Sequence, residues 1–380
     1  MDTFPQRAQP IFEPRSQSQK DRDNKTSLQQ RPSSERVYFL PTSIQPSTDS
    51  GYVAIQATTA AENPRVRVFV DHRLTMNADL AALIQAIDDV SKSDLAAKVE
   101  QVAGTVQDVD RDGCLAVVIT PELMTLSPTQ TPVHGITRPI DFVSGLDRPR
   151  SNHSDVIFLS HQLKPGHHLN AVLSHEWCHA AVFSRRCRQI DPNESEKPDD
   201  DWLNEAIAHM VEVHASGSMS NLSHRIESFR LHPENSPLVV RDYCRPGYWR
   251  HDGCRGAAFS FMAWCRENSS EGFLRRLLTA DSLGLEALES ATGQSFEELY
   301  RGWTAELGRQ LLKSSRTHSK SAAASIAHVN WNVRSNPSLT LSIRGSCVRL
   351  IRIESQSPEC WRLTATGPNL DRLQMTLVQD

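Results

Sequence analysis

The sequence predicts an α+β fold, and three observations carry that prediction. Short apolar runs bounded by polar turns supply strands at residues 65–70, 114–120 and 156–159, and 3.6-residue apolar periods supply helices between and after them. Beyond residue 326, apolar and polar residues alternate as they do in strands with one solvated face. At 380 residues the chain is long enough for more than one folding unit.

Residues 1–50 are dominated by Gln, Ser, Pro, Arg, Lys and Asp and have no apolar period able to bury surface, so a disordered tail is expected. Residues 51–150 read as a small α/β unit. Its first strand, Arg65 to Val70, leads to Leu80, Leu83, Ile84 and Ile87 at the i, i+3, i+4, i+7 spacing of an amphipathic helix. A second helix through Leu95 and Val102 stops at Gly104, and the run from Cys114 to Thr120 reads as a buried strand.

Residues 151–313 are mainly helical, opening on the strand-like 156–159 and entering a helix over 169–185. Ser295 and Glu298 form a capping box after Gly293, and Leu299, Trp303, Leu307 and Leu311 then lie on one helical face. Residues 314–326, rich in Ser and Ala, read as a linker. Residues 327–380 then predict a small antiparallel β domain, with strands around Leu339, Leu341 and Ile343, at 348–353, at 361–365, and around Leu373, Met375 and Leu377. No internal repeat at a fixed period is present.

The balance of 41 basic against 45 acidic residues gives a net charge of -4 and no broad electrostatic footprint for a phosphate backbone, so nucleic acid is not an expected partner. No apolar run reaches the roughly 18 to 20 residues of a membrane-spanning helix. The first residues show neither the apolar stretch nor the cleavage site of a secretory signal. Eight cysteines are too sparse for a disulfide scaffold, and buried thiols are the expectation. Cys347 and Cys360, flanking the predicted hairpin, are the pair to test for a cross-link.

The most specific signal lies between Leu173 and Ala180, where His175, Glu176 and His179 spell HExxH in a segment free of Pro and Gly. On a helix, residues i and i+4 stack, so both imidazoles can address one ion while Glu176 stands beside it. Cys178 is turned about 100° from that face and reads as packing. A catalytic zinc needs a third protein ligand and one open position. Val182 and Arg185 stand where a metzincin would have Gly and His, which leaves a later carboxylate. Glu205, in the otherwise apolar stretch from Trp202 to His209, is that carboxylate.

With Asn204 and Glu205 following HExxH on a second helix, the sequence resembles the gluzincin metallopeptidases. Val133 to Gly135, Ser151 and Asn152 before a strand, and Asp108 to Gly113 before another strand look like the hyicolysin-like branch. The resemblance covers roughly residues 105–310 and implies a zincin-like catalytic domain over 151–313, one catalytic Zn2+ held by His175, His179 and Glu205, a peptide or protein substrate, and an extracytoplasmic setting. One departure stands out. Thermolysin-like relatives carry an acidic residue four positions after the Glu ligand, and this chain has His209 there, on the same helical face and able to compete for the metal.

In such a site Glu176 serves as general base, and an extra donor steadies the oxyanion. Tyr248, just before an apolar helix, ranks first for that donor and His251 second. Asp108, Asp110 and Asp112 followed by Gly113 match the opening of a calcium loop, although Ile119 stands where an EF-hand has its bidentate Glu. The alternative to an enzyme is a zinc-containing binding or structural protein that keeps the fold without turnover.

Overall fold

The computed structural model describes residues 34–43, 51–126, 132–143, 145–187, 199–245, 247–249, 251–316, 326–333, 335, 338–343, 345–354, 364 and 373–378. They form a mixed α/β architecture built on one six-stranded sheet. Its strands are β1 (Glu35–Pro41), β2 (Tyr52–Glu62), β3 (Val66–Asp71), β4 (Leu115–Thr120), β5 (Gly135–Ile136) and β6 (Val156–Ser160), in the order β1-β2-β3-β4-β6-β5. β3, β4 and β6 run parallel, and β1, β2 and β5 are antiparallel to their neighbours.

The central strands are buried on both faces because each face is apolar on its own two-residue period. Val66, Val68, Val70, Leu115, Val117, Ile119, Ile157 and Leu159 belong to the core that also contains the helices. Phe69, Ala116, Val118, Val156 and Phe158 point the other way and pack with Tyr38, Leu40, Ile55 and Val133. Each such fully buried aliphatic side chain contributes about 1.5–3 kcal/mol relative to exposure.

Helices α1 (Ala78–Lys92) and α2 (Asp94–Ala103) link β3 to β4, which are parallel and therefore need a crossover. The Asn77 side chain caps α1 by accepting from the Leu80 amide, and Ser93 does the same for α2 through Leu95. After β6 come α3 (His167–Arg186), α4 (Asp201–Ser216), α5 (Ser223–Leu231), α6 (Asp252–Glu267), α7 (Phe273–Thr279), α8 (Gly284–Thr292) and α9 (Phe296–Arg316). The capping box forms as expected: the Ser295 amide donates to Glu298 Oε2 at 2.9 Å and the Glu298 amide to Ser295 Oγ at 3.3 Å. No helix among the described residues is long and apolar enough to cross a membrane.

Three expectations are corrected. Residues 35–41, counted in the disordered tail, are β1, which pairs with β2 and whose alternating Tyr38 and Leu40 are buried in the cluster that holds Phe69 and Phe158. Residues 1–33 and 44–50 of that tail lie outside the described residues. The C-terminal pair is parallel rather than antiparallel: β7 (His328–Asn332) meets β8 (Leu350–Glu354) in register from His328 with Leu350 to Asn332 with Glu354. The chain between them is long enough to cross over, whereas an antiparallel pairing would have used a tight turn. Neither 338–343 nor 373–378 pairs as a strand. The candidate at 361–365, apart from Thr364, and Cys360 with its suggested cross-link lie outside the described residues. Residues around Ser346 are tied to the helical part, with the Leu238 amide donating to Ser346 O and the Tyr300 hydroxyl to Cys347 O.

Candidate metal centre

α3 carries the HExxH residues and is buried almost all round, so its polar side chains must find partners inside the protein. His175 and His179 are one turn apart, edge to face, with Nε2 atoms separated by 3.2 Å. α4 packs against α3 and brings Glu205 to them: Oε2 is 3.4 Å from His175 Nε2, and Oε1 is 3.9 Å from His179 Nε2. Donors at 2.0–2.1 Å around a tetrahedral ion stand about 3.3 Å from one another, so this spacing suits zinc. Glu205 Oε2 is also a buried oxygen that accepts no hydrogen bond, as a carboxylate oxygen awaiting a cation would be.

His209 lies near the same point. His175, Glu205 and His209 form a group whose ligand atoms all lie within 4.8 Å of one another and which could hold a metal. The hydrogen bonds around His209 separate it from His179. Arg225 Nη1 lies 2.7 Å from His209 Nε2, and an arginine only donates, so that nitrogen's lone pair is occupied. His209 Nδ1 then donates to Glu212 Oε2 at 2.9 Å. Nε2 is also 4.0 Å from Glu205 Oε2, farther than the His175 nitrogen.

Glu212 is the residue that sequence reasoning missed. Its Oε2 accepts from His175 Nδ1 at 3.1 Å, from His209 Nδ1, and from Asn221 Nδ2 at 3.1 Å. With Nδ1 donating, His175 presents the lone pair of Nε2 to the cluster, as a metal-ligating imidazole with a carboxylate behind it does. The signal was present in the sequence: Glu212 follows Glu205 by two helical turns, on the same face of α4. Burial would raise the Glu212 carboxyl, but its histidine donors outweigh burial and hold it at about 2. Burial lowers His175 as well, yet the carboxylates of Glu205 and Glu212 raise it overall, whereas burial and the His175 charge lower His179.

Glu176 faces β5. Thr137 Oγ1 donates to its Oε2 at 2.8 Å, and a Cβ on Gly135 would come within 2.8 Å of its Cγ and 3.0 Å of its Oε1, so only glycine permits this approach. Burial pushes the Glu176 carboxyl up to about 7, opposed by His175 and Thr137, which places a proton acceptor near neutrality. Cys178 is fully buried, away from the cluster, and serves as packing.

Among the described residues, neither Tyr248 nor His251 makes a hydrogen bond or ion pair with His175, His179 or Glu205. Tyr248 sits in the turn before α6, 37% exposed, and no hydrogen bond among the described residues joins its hydroxyl to the histidines or glutamates. His251 caps α6, its Nδ1 accepting from the Cys254 amide at 3.2 Å. Arg255 of α6 is there instead, with Nη1 3.1 Å from Glu205 Oε2 and its guanidinium 5.3 Å above the Tyr243 ring. α6 can come so near because Gly256 faces α5: a Cβ there would meet Arg225 O at 2.0 Å.

A second group, Asp108, Asp110 and Asp155, could also hold a metal. It is not the set expected. Asp112 is engaged by Arg36 Nη2 at 2.6 Å and Arg67 Nη1 at 2.8 Å, and Asp155, from the turn into β6, takes its place beside Asp108 and Asp110. Asp108 accepts from the Asp112 and Gly113 amides and so closes its own turn.

No family model and no curated protein matches the chain.

Proposed function

We propose that this chain is a zinc-dependent metallopeptidase of the gluzincin kind on a zincin-like catalytic domain. The observation that supports it most is the convergence of His175, His179 and Glu205, with donor atoms 3.2 to 3.9 Å apart, beside a buried glutamate. Zinc held by these three side chains would supply Lewis-acid polarisation of a carbonyl and a lowered pKa for water.

The remaining chemistry belongs to the chain's own residues. Glu176, held by Thr137, takes a proton from water as the water oxygen bonds to the scissile carbonyl carbon. The same proton passes to the amide nitrogen as the C–N bond breaks, and Glu176 returns to its carboxylate form. Glu212 and Asn221 keep His175 in one tautomer and orientation throughout. β5 favours a peptide substrate. It is the end strand of the sheet, pairs only with β6 among the described residues, and runs past Glu176 at Gly135, so an extended peptide backbone can add along its open edge.

A mass-spectrometric metal count combined with a peptide-library digest, on wild type and Glu176→Gln, tests the proposal. One zinc in both proteins, with cleavage by the wild type alone, is expected. A zinc-loaded wild type that cleaves no peptide would make the chain a zinc-containing binding or structural protein. Equal cleavage by Glu176→Gln would remove Glu176 as the base.

A further inference from the structure

Amide hydrolysis places negative charge on the carbonyl oxygen as water adds, and a preorganised donor at that oxygen is among the strongest contributions to such catalysis. Of the two aromatic candidates from the sequence, Tyr248 lies exposed in a turn and His251 uses Nδ1 to cap α6, and among the described residues neither makes a hydrogen bond or ion pair with His175, His179 or Glu205. We infer that Arg255 is that donor: its guanidinium, carried to the histidine–glutamate cluster by α6, hydrogen-bonds the carbonyl oxygen of a bound peptide as charge develops there. This rests on the peptidase reading above.

Three observations carry the assignment. Arg255 Nη1 is 3.1 Å from Glu205 Oε2, itself 3.4 Å from His175 Nε2, so the guanidinium borders the space in which a substrate carbonyl must sit. Its donors are not used up, because the contact with Glu205 leaves that oxygen without an aligned hydrogen bond and Arg255 Nε is buried with none. The group is also held in place: the Tyr243 ring lies beneath it, and Arg255 is only 13% exposed in its side chain, so the donor needs little reorganisation to act. Arg255 gives up no proton, so the proton balance with Glu176 is unchanged.

The test uses the full zinc-loaded chain as wild type, Arg255→Ala and Arg255→Lys. Arg255→Ala is expected to lower kcat by about 100- to 1,000-fold with KM little changed. Arg255→Lys should recover part of that loss, and added guanidinium ion should raise the rate of Arg255→Ala and not of the wild type. Binding supplies a readout separate from turnover. A phosphonate peptide, which mimics the tetrahedral oxygens, should bind Arg255→Ala about 100-fold more weakly, while zinc affinity by chelator competition and the thermal midpoint stay near wild type. The inference is overturned if Arg255→Ala keeps kcat within about threefold of wild type. It is also overturned if the lost rate tracks lost zinc without guanidinium rescue, since Arg255 would then only be holding Glu205. A wild type that cleaves nothing would end the peptidase reading and this inference together, whereas an active wild type with an active Arg255→Ala ends this inference alone.

Discussion

Two carboxylate groups in this protein each contain a fully buried acid, Glu212 in one and Asp155 in the other, and the two acids behave in opposite ways. Around His175, Glu205 and Glu212 are matched by imidazoles and guanidiniums. Burial would raise both carboxyls, but Arg255 and His175 hold Glu205 well below its usual range, and His175 with His209 does the same for Glu212. At the other group, burial pushes Asp155 up to about 8, with the charges of Asp110 and Asp108 adding to it, and burial likewise raises Asp110. The difference shows that a buried acid is defined by what stands opposite it. The first group is a set of charges matched around one point, whereas in the second Arg36 pairs with Asp110 at 2.7 Å and Asp155 is left beside the charges of Asp110 and Asp108.

Short of removing a ligand, the matched group is broken most severely by removing the carboxylate that orients it. Glu212→Gln should weaken zinc binding by about 10- to 100-fold, measured by chelator competition, because His175 loses its charged partner. Unchanged affinity would mean that the α3 packing alone fixes the ring. A smaller effect is expected at the approach to the base. Gly135→Ala forces a methyl group against Glu176 and should cost about 1–3 kcal/mol in urea denaturation together with a loss of peptide cleavage. Full activity in Gly135→Ala would show that β5 can move away from Glu176.

The smallest expected effect sharpens the other half of the comparison. Asp155 has a folded pKa near 8 and an unfolded value of about 3.9, so between those values the folded chain binds a proton that the unfolded chain has released. Its contribution to stability is therefore fully present below about pH 4 and falls as the pH rises toward 8. Asp155→Asn keeps an acceptor for the Val109 amide and should flatten this part of the pH profile of the urea midpoint, leaving the variant the more stable protein above pH 8. A wild-type midpoint that rises over that interval, with no difference in the variant, would refute the account of this group.

Local pattern made much of the fold legible. The helix expected over 169–185 is α3 at His167–Arg186, and the apolar strands at 65–70, 114–120 and 156–159 match β3, β4 and β6 within a residue at each end. These elements are specified by their own periodicity. β1 was not legible because Tyr38 and Leu40 gain burial from residues remote in sequence, Phe69 and Phe158 among them, and the direction of the β7–β8 pairing depends on a crossover that short-range alternation does not encode. The site divides the same way. His175, Glu176 and His179 stand out by helical spacing and Glu205 as a carboxylate on a later helix, and the structure brings the side chains of His175, His179 and Glu205 within 3.9 Å of one another. Glu212 escapes a search one turn beyond Glu205 because it lies two turns beyond. Thr137 and Arg255 come from a loop and a helix that only the fold brings to Glu176 and Glu205.

The central claim is that α3 and α4 converge on one ion through His175, His179 and Glu205, with His209 held aside by Arg225 and Glu212. Zinc stoichiometry by native mass spectrometry, after dialysis of wild type, His179→Ala and His209→Gln against a weak chelator, tests it most directly. The account predicts one zinc in the wild type and in His209→Gln, whose amide can still accept from Arg225 and donate to Glu212, and none in His179→Ala. Zinc kept by His179→Ala and lost from His209→Gln would contradict it.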